Sequence, residues 1–284
     1  MLECVPNVAE GRDRARLDAL AAACGPSLLD GHRDPDHHRS VFTLAGPGDD
    51  DALAAARALA GAAAAQLDLR RHAGVHPRFG VLDVVPFVAL GEPAAGAAEP
   101  ARAFAAWLAA ELGVPSFLYG AADPGRRLLP EVRRAATAGV APDVGPDRAD
   151  PRLGVAAVGA RAPLVAVNCW LGRPDLALGR AIATGVRERD GGLPGIRALA
   201  FELPSRRAVQ VSLNVTDLEA TGVEAACTAV RTAAEAAGTT VEQVEWVGLV
   251  PEAELERCDP GFRDWSGLDR SRTIEARLAG VAGR

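Results

Sequence analysis

The five histidines, His32, His37, His38, His72 and His76, all fall between positions 32 and 76 of a 284-residue chain. Imidazole is the one side chain that titrates near neutrality unaided. Such a cluster marks a place where a proton can be taken from one atom and handed to another at physiological pH. The chain contains no lysine. That excludes a lysine Schiff base, a lysine-anchored pyridoxal cofactor and a phosphate-loop lysine. The fixed positive side chains are arginines, whose planar forks suit carboxylates. Most of them read as solvated surface.

Three segments concentrate the chemistry. The densest runs from Arg70 to Gly80 and holds His72, Gly74, His76, Pro77 and Arg78. His72 and His76 are four apart, a metal-pair spacing on a helix, but Gly74 and Pro77 oppose a helix. Proline disfavours the helical region at the residue before it, so His76 is expected in an extended loop fixed by Pro77. A rigid loop is a good mount for a catalytic imidazole. The second segment, Asp30 to Ser40, reads as a polar loop between two strands. Its His and Asp residues suit zinc or another divalent ion, yet no recognised ligand spacing is present, and a metal-free site is expected. The third, Glu3 to Asp13, reads as a strand-to-helix turn, where Asn7 and Glu10 cap a helix and its amides can face an anion. Solvated loops with incidental histidines are the bland alternative. The density of His, Arg and Gly in the first segment favours function.

The elements that must carry these segments follow from periodicity. In the first half, strands are expected over Leu2–Pro6, Ser27–Gly31, Ser40–Ala45 and Val81–Val88, and helices over Arg12–Cys24 and Asp50–Leu69. Two further helices, Pro100–Leu112 and Pro130–Ala138, flank a strand at Val114–Tyr119. A Pro/Gly/Asp-rich connector covers Val140–Gly154. In the second half, strands are expected over Pro163–Asn168, Ile196–Leu203, Ala208–Val215 and Val241–Val250. Helices are expected from Arg173 to about Arg189 and from Leu218 to Ala237, the latter capped by Thr216-Asp217. Both halves therefore read β-α-β-β-α-β, the split βαβ order of ferredoxin-like folds. The expected architecture is α+β, two tandem ferredoxin-like βαββαβ subdomains over residues 1–155 and 156–284. Their sheets are antiparallel or mixed, with helices on one face and a substrate cleft between the halves.

Composition bounds the class. Hydrophobic residues make up 49% and aromatics 4%, so the cores must be filled by Ala, Val and Leu. A net charge of −6 without a basic face argues against a nucleic-acid partner. Five cysteines without a C-x-x-C pair read as reduced thiols. The start of the chain lacks the pattern of a secretion signal, and no apolar run is long enough to span a bilayer. A soluble cytoplasmic protein is expected.

In order along nearly the whole chain, the motifs resemble those of the formiminotransferase family, also called glutamate formimidoyltransferases. The family opening E-C-V-P-N-x-x-E-G is matched from Glu3 to Gly11, and D-P-D-H-x-R-S-V-x-T from Asp34 to Thr43. The specific central motif R-H-x-G-x-H-P-R-x-G-x-L-D-V-x-P-F is matched throughout from Arg71 to Phe87. Weaker matches follow at Leu118–Ala122, Pro142–Pro146, Val158–Asn168 and Val247–Pro251.

The resemblance implies the duplicated ferredoxin-like fold and transfer of a formimino group from N-formiminoglutamate to the N5 nitrogen of tetrahydrofolate, with tetrahydrofolate as co-substrate. It implies His76 as the general acid and base. Arg78 and Arg39 become candidates for substrate carboxylates, and His38, His72 and Asp30 for orienting His76 or substrate. The family's folate-binding stretch falls on Gly145–Gly154, where Gly145, Pro146, Pro151 and Gly154 match. A homodimer is implied.

The chain departs from the family at Val75, where glutamate is usual, at Trp170, where a second asparagine is usual, and in a short, arginine-rich segment around Arg126, Arg127, Arg133 and Arg134. Another formimino donor such as formiminoglycine, a non-catalytic folate-binding descendant and a metal-dependent hydrolase remain as alternatives.

Overall fold

A computed structural model of the protein describes residues 1–48 and 50–282. The chain forms two compact units, Met1–Ala162 and Pro163–Gly280. The expected second domain ends on residues 283 and 284, which lie outside the described residues.

The first unit opens on β1 (Leu2–Cys4) and β2 (Asn7–Val8), two pieces of one strand position interrupted at Val5-Pro6. Proline has no N–H to give to the ladder, which accounts for the break. There follow α1 (Arg14–Cys24), β3 (Leu28–Asp34), β4 (Arg39–Ala45), α2 (Asp51–Gln66) and β5 (Leu82–Ala89). An extension adds α3 (Ala98–Leu112), β6 (Ser116–Gly120), α4 (Leu129–Thr137) and β7 (Ala156–Arg161). Across the sheet the order is β3, β4, β1 with β2, β5, β7, β6. The pairings from β3 to β5 are antiparallel, and β7 runs parallel to both β5 and β6.

Every residue of β5 is buried, as a strand covered on both faces requires. On one face lies the main core, where Leu20, Leu44, Leu59, Phe87, Phe104 and Leu108 pack beneath α1, α2 and α3. The buried positions of α2, Ala52, Ala55, Ala56, Leu59, Ala60 and Ala63 among them, recur at helical period. The opposite face of β5, β7 and β6 is covered by α4, whose Val132 packs with Val84, Phe117 and Tyr119. This corrects the expectation of helices on one face. The added strands are apolar on both sides, so a single helical layer would leave one side wet.

Two further differences bear on the site. Residues 30–33 belong to β3, whose ladder with β4 continues to the pair Asp34 and Arg39, so the expected loop shrinks to a hairpin tip. An edge strand tolerates polar side chains on its solvent side, which is why the segment reads as a loop. The strand β7 lies in the first unit's sheet, so the expected start of the second unit near residue 155 falls just ahead of this strand.

The second unit contains β8 (Val165–Leu171), α5 (Leu176–Val186), β9 (Ile196–Leu203), β10 (Ala208–Val215), α6 (Val223–Ala236) and β11 (Val241–Val247). The sheet is antiparallel in the order β11, β8, β10, β9. Alternate residues Val165, Val167 and Cys169 on β8 and Val209, Val211 and Leu213 on β10 join the core with Ile182 of α5 and Val230 of α6. The second helix starts at Val223, five residues later than expected, because the Asp217 carboxylate accepts from the amides of Glu219 and Ala220 and closes a turn first. The tail folds as α7 (Glu252–Arg257), α8 (Pro260–Ser266) and α9 (Ile274–Ala282), and contributes Leu255, Cys258, Phe262 and Leu268 to the same core. Among the described residues no helix is long and apolar enough to cross a membrane.

Candidate functional site

Three segments of the first unit meet at one place: the turn at Glu10–Asp13, the hairpin tip at Pro35–His38, and the loop His72–Gly80 ahead of β5. Arg12 Nε donates to the Pro35 carbonyl at 2.7 Å, and the Val75 amide donates to the Asp36 carbonyl at 3.2 Å. Glycines permit the approach. A Cβ on Gly11 would lie 2.2 Å from the Asp34 carbonyl oxygen, and one on Gly74 would lie 2.3 Å from that of His37. Sequence motifs separated by some sixty residues thus share one small volume.

Carboxylates hold the turn and the tip. One Glu10 oxygen accepts from the amides of Gly11, Arg12 and Asp13 at 2.9, 2.8 and 3.1 Å, and lies 3.4 Å from His38 Nε2. Burial alone would raise its pKa, but the His38 bond and these amides outweigh it and bring the carboxyl down to about 2. Asp34 accepts from the Asp36 and His37 amides at 2.8 Å each, and its second oxygen lies 2.9 Å from His37 Nδ1. Its pKa is likewise brought to about 2, against burial, by the side chain and amide of His37. His72 Nε2 donates to the His38 carbonyl at 2.6 Å, and the two rings sit 4.0 Å apart between centroids. Burial lowers His72 to about 4, so it is neutral at pH 7.

His76 occupies the outer side of this arrangement. Its ring is half-buried and lies beside an open depression of about 410 Å³ lined by Leu69, Gly74, Val75, His76, Pro77 and Arg78. Nδ1 is 2.7 Å from the Pro77 carbonyl. A carbonyl only accepts, so Nδ1 carries the hydrogen and Nε2 carries the lone pair. Burial first, then the positive charge of Arg39, pushes the ring's pKa down to about 3. The ring is therefore a neutral proton acceptor at pH 7. The ring of His37 lies 5.8 Å away.

Below the loop sits a buried charge cluster. Asp83, on β5, is fully buried. Its Oδ2 accepts from Arg39 Nη1 and from Arg133 Nη2, the latter at 2.7 Å, while Oδ1 accepts from the Phe79 amide at 3.0 Å. Burial would raise this carboxyl, and the two guanidinium groups hold it low. Arg39 also donates from Nε and Nη2 to Asn7 Oδ1 at 3.1 and 2.8 Å. Arg133 stacks its guanidinium 4.8 Å from the Phe79 ring centre. Arg78 gives its donors to the loop itself, to the carbonyls of Gly74, His76 and His72 at 3.2, 3.0 and 2.8 Å. It braces the His76 loop from within.

The remaining expected residues divide. His38, Arg39, His72, His76 and Arg78 come together. Asp30 pairs with Thr43 on the edge ladder, about 13 Å along the strand from Asp34 at the usual rise per residue. Of the expected folate stretch, Gly154 adjoins the site: it bridges Gly80, and a Cβ there would lie 2.9 Å from Leu69 Cδ2. Gly145 packs against Ala109 and Pro115 instead. Pro146 and Pro151 lie within the connector between Gly145 and Gly154. Asp83 and Arg133 are the participants that residue-type reasoning did not assign to the site, and Asn7 and Glu10, expected as helix caps, leave the capping of α1 to Asp13, whose side chain accepts from the Arg16 amide. Asp83 had a signal, being the one charge in the apolar run Val81–Val88; a carboxylate in a buried strand demands a partner. Among the described residues no group of three His, Cys, Asp or Glu is placed to hold a metal ion.

The formiminotransferase domain, N-terminal subdomain, matches residues 1–161, and the formiminotransferase domain matches residues 174–260. Glutamate formimidoyltransferase of Thermoplasma acidophilum is 35% identical over 99% of this chain and 98% of its own. The protein of the same name from Streptococcus pyogenes is 35% identical over 90% of each chain. Formimidoyltransferase-cyclodeaminase of Sus scrofa is 36% identical over 88% of this chain and 50% of its own length. The protein is an enzyme of the one-carbon transferase type, and its chain belongs to the formiminotransferase family.

Proposed function

We propose that this enzyme transfers the formimino group of N-formiminoglutamate to the N5 nitrogen of tetrahydrofolate, giving 5-formiminotetrahydrofolate and glutamate in histidine degradation, with His76 as general acid and base. One observation carries the reading: the Nδ1 bond to Pro77, which fixes the tautomer of a neutral ring beside an open depression. The named relatives support the same transfer.

The chemistry needs one mobile proton. The folate nitrogen attacks the formimino carbon, and a C–N bond forms as the amidine double bond becomes a single bond. The attacking nitrogen then carries a proton that Nε2 accepts. The tetrahedral adduct collapses when His76 returns that proton to the departing glutamate nitrogen, and the second C–N bond breaks. A ring lowered to about 3 accepts weakly but donates strongly once protonated. His38, His72 and Arg78 hold the loop that carries the ring, and Arg39 sets the charge beneath it. Asp30 belongs to this reading as a more distant substrate contact. Tetrahydrofolate is the co-substrate, and Gly154, at the Leu69 rim, is the part of the Gly145–Gly154 stretch best placed to meet it.

The four strands of the second unit in chain order lie as fourth, first, third, second, and the positions of β1 with β2, β3, β4 and β5 in the first unit follow the same order, which supports two ferredoxin-like subdomains carrying the reaction. Five buried free thiols support a reducing, cytoplasmic setting. A homodimer completes the reading.

The test is incubation with tetrahydrofolate and a panel of formimino donors, formiminoglycine included, following amine release and the folate spectrum. His76→Ala should lower kcat by about 10³-fold with little change in folate affinity. A protein with no turnover on any formimino donor would be a folate-binding descendant instead.

A further inference from the structure

Among the arginines beneath the His76 loop, Arg133 has the most hydrogen-bonding capacity left. Arg78 is committed to three loop carbonyls, and Arg39 to Asn7 and Asp83. Arg133 makes two bonds: Nη2 to Asp83, and Nη1 to the Pro77 carbonyl at 3.3 Å. A guanidinium has five N–H donors. The second of these bonds is long, and its acceptor is neutral.

We infer that Arg133 anchors a carboxylate of the formimino donor beside His76. The inference rests on the transfer reading for the identity of that donor. The charge count supports it, because Arg39 and Arg133 share one buried carboxylate, Asp83, and the cluster keeps one surplus positive charge. Position supports it as well. Arg133 lines an open depression of about 360 Å³ with Arg134, Thr137 and Ala138, and its Nη1 reaches Pro77, which lines the depression beside His76. The guanidinium is also preorganised, clamped at one nitrogen by Asp83 and stacked on Phe79. An incoming carboxylate need only replace the weak Pro77 contact, gaining a charge-assisted bond without ordering a new side chain.

Such docking acts on the proton carrier. The groups facing His76 are Arg39 from β4, Asp83 from β5, Arg133 from α4 and His37 from the hairpin tip. A carboxylate on Arg133 offsets positive charge next to the ring and makes it a better base. A donor that carries this carboxylate thereby raises the pKa of His76 toward neutral pH, where proton exchange is efficient. Arg133 serves as a binding residue and, through charge, as a positioning residue for the imidazole.

The experiment titrates the His76 ring by NMR in isotope-labelled protein, with and without L-glutamate as probe, and measures kinetics with N-formiminoglutamate. Saturating glutamate should raise the ring's pKa by roughly one unit or more in the unmodified enzyme, partly in Arg133→Lys and not in Arg133→Gln. The KM for the donor should rise about tenfold or more in Arg133→Gln, with a smaller loss in kcat. Arg180→Gln, at an exposed position of α5, should change neither. An equal glutamate response in Arg133→Gln and the unmodified enzyme, or an unchanged KM, overturns the inference. If the unmodified enzyme does not use N-formiminoglutamate, the transfer reading fails, and the glutamate titration still decides the anchor. A response lost in Arg133→Gln keeps it, and no response in the unmodified enzyme removes it.

Discussion

Gly74 lies against the backbone of His37, close enough that a methyl group on it would sit 2.3 Å from the His37 carbonyl oxygen. This contact locks the loop bearing His76 onto the β3–β4 hairpin tip. Gly74→Ala should push the loop off the tip while leaving both cores intact. Misplacing a catalytic group by about 1 Å can lower a rate on the order of 10²-fold. The expected outcome is a kcat loss of that size with folate affinity retained, read by steady-state kinetics beside a folate titration. Unchanged kcat would mean that the contact does not set the ring's position.

Asp83 is the shared acceptor of Arg39 and Arg133 in a fully buried position. Asp83→Asn removes the charge while keeping the shape, and leaves two guanidinium groups uncompensated. Removing one partner of a buried ion pair typically destabilises by about 3–5 kcal/mol. A chemical-denaturation midpoint lowered to match is expected. A variant as stable as the parent would show that solvent already screens the cluster.

Acid should destabilise the protein in two stages. His72 and His76 are lowered from 6.5 to about 4 and about 3. The unfolded chain therefore binds more protons in that interval, and the contribution is complete above 6.5 and lost as pH falls toward those values. Glu10 and Asp34 are lowered from 4.5 and 3.8 to about 2. Their contribution is complete above the ordinary carboxyl range and lost as pH falls toward 2. Urea midpoints measured against pH should show His72→Gln reducing the first stage and Glu10→Gln the second. A single stage confined to the carboxyl range would contradict the assignment.

Gly145 and Gly154 should respond differently. Both have positive φ, at 95° and 72°, so alanine is strained at either. Each substitution should lower stability by about 1 kcal/mol or more. Only Gly154→Ala should also raise the KM for tetrahydrofolate, since Gly154 adjoins Leu69 at the depression while Gly145 packs on Ala109 and Pro115. Equal effects on folate would remove the distinction.

Much of the fold was legible because its signals are local. The strands Ile196–Leu203 and Ala208–Val215 appear at their expected bounds, since alternation and a turn at Pro204–Arg207 are both encoded within a few residues. The strand β7, Ala156–Arg161, was not legible. Its Ala- and Gly-rich sequence carries weak strand propensity, and it forms because β5 and β6 pair with it from either side. The tail helices α7 and α8 are too short for a periodic signal.

The sequence alone determined which residue types the site has to work with: imidazoles confined to positions 32–76, arginine as the only fixed cation, a proline that holds His76 extended, and motifs specific enough to name the family. Tertiary structure decided what each group does. The tautomer of His76, the diversion of Arg78 to backbone carbonyls, the burial of Asp83 and the arrival of Arg133 from a helix fifty residues downstream all depend on through-space distances. The reason is physical. Electrostatic interactions and hydrogen bonds fall off over a few ångströms in space and take no account of separation along the chain.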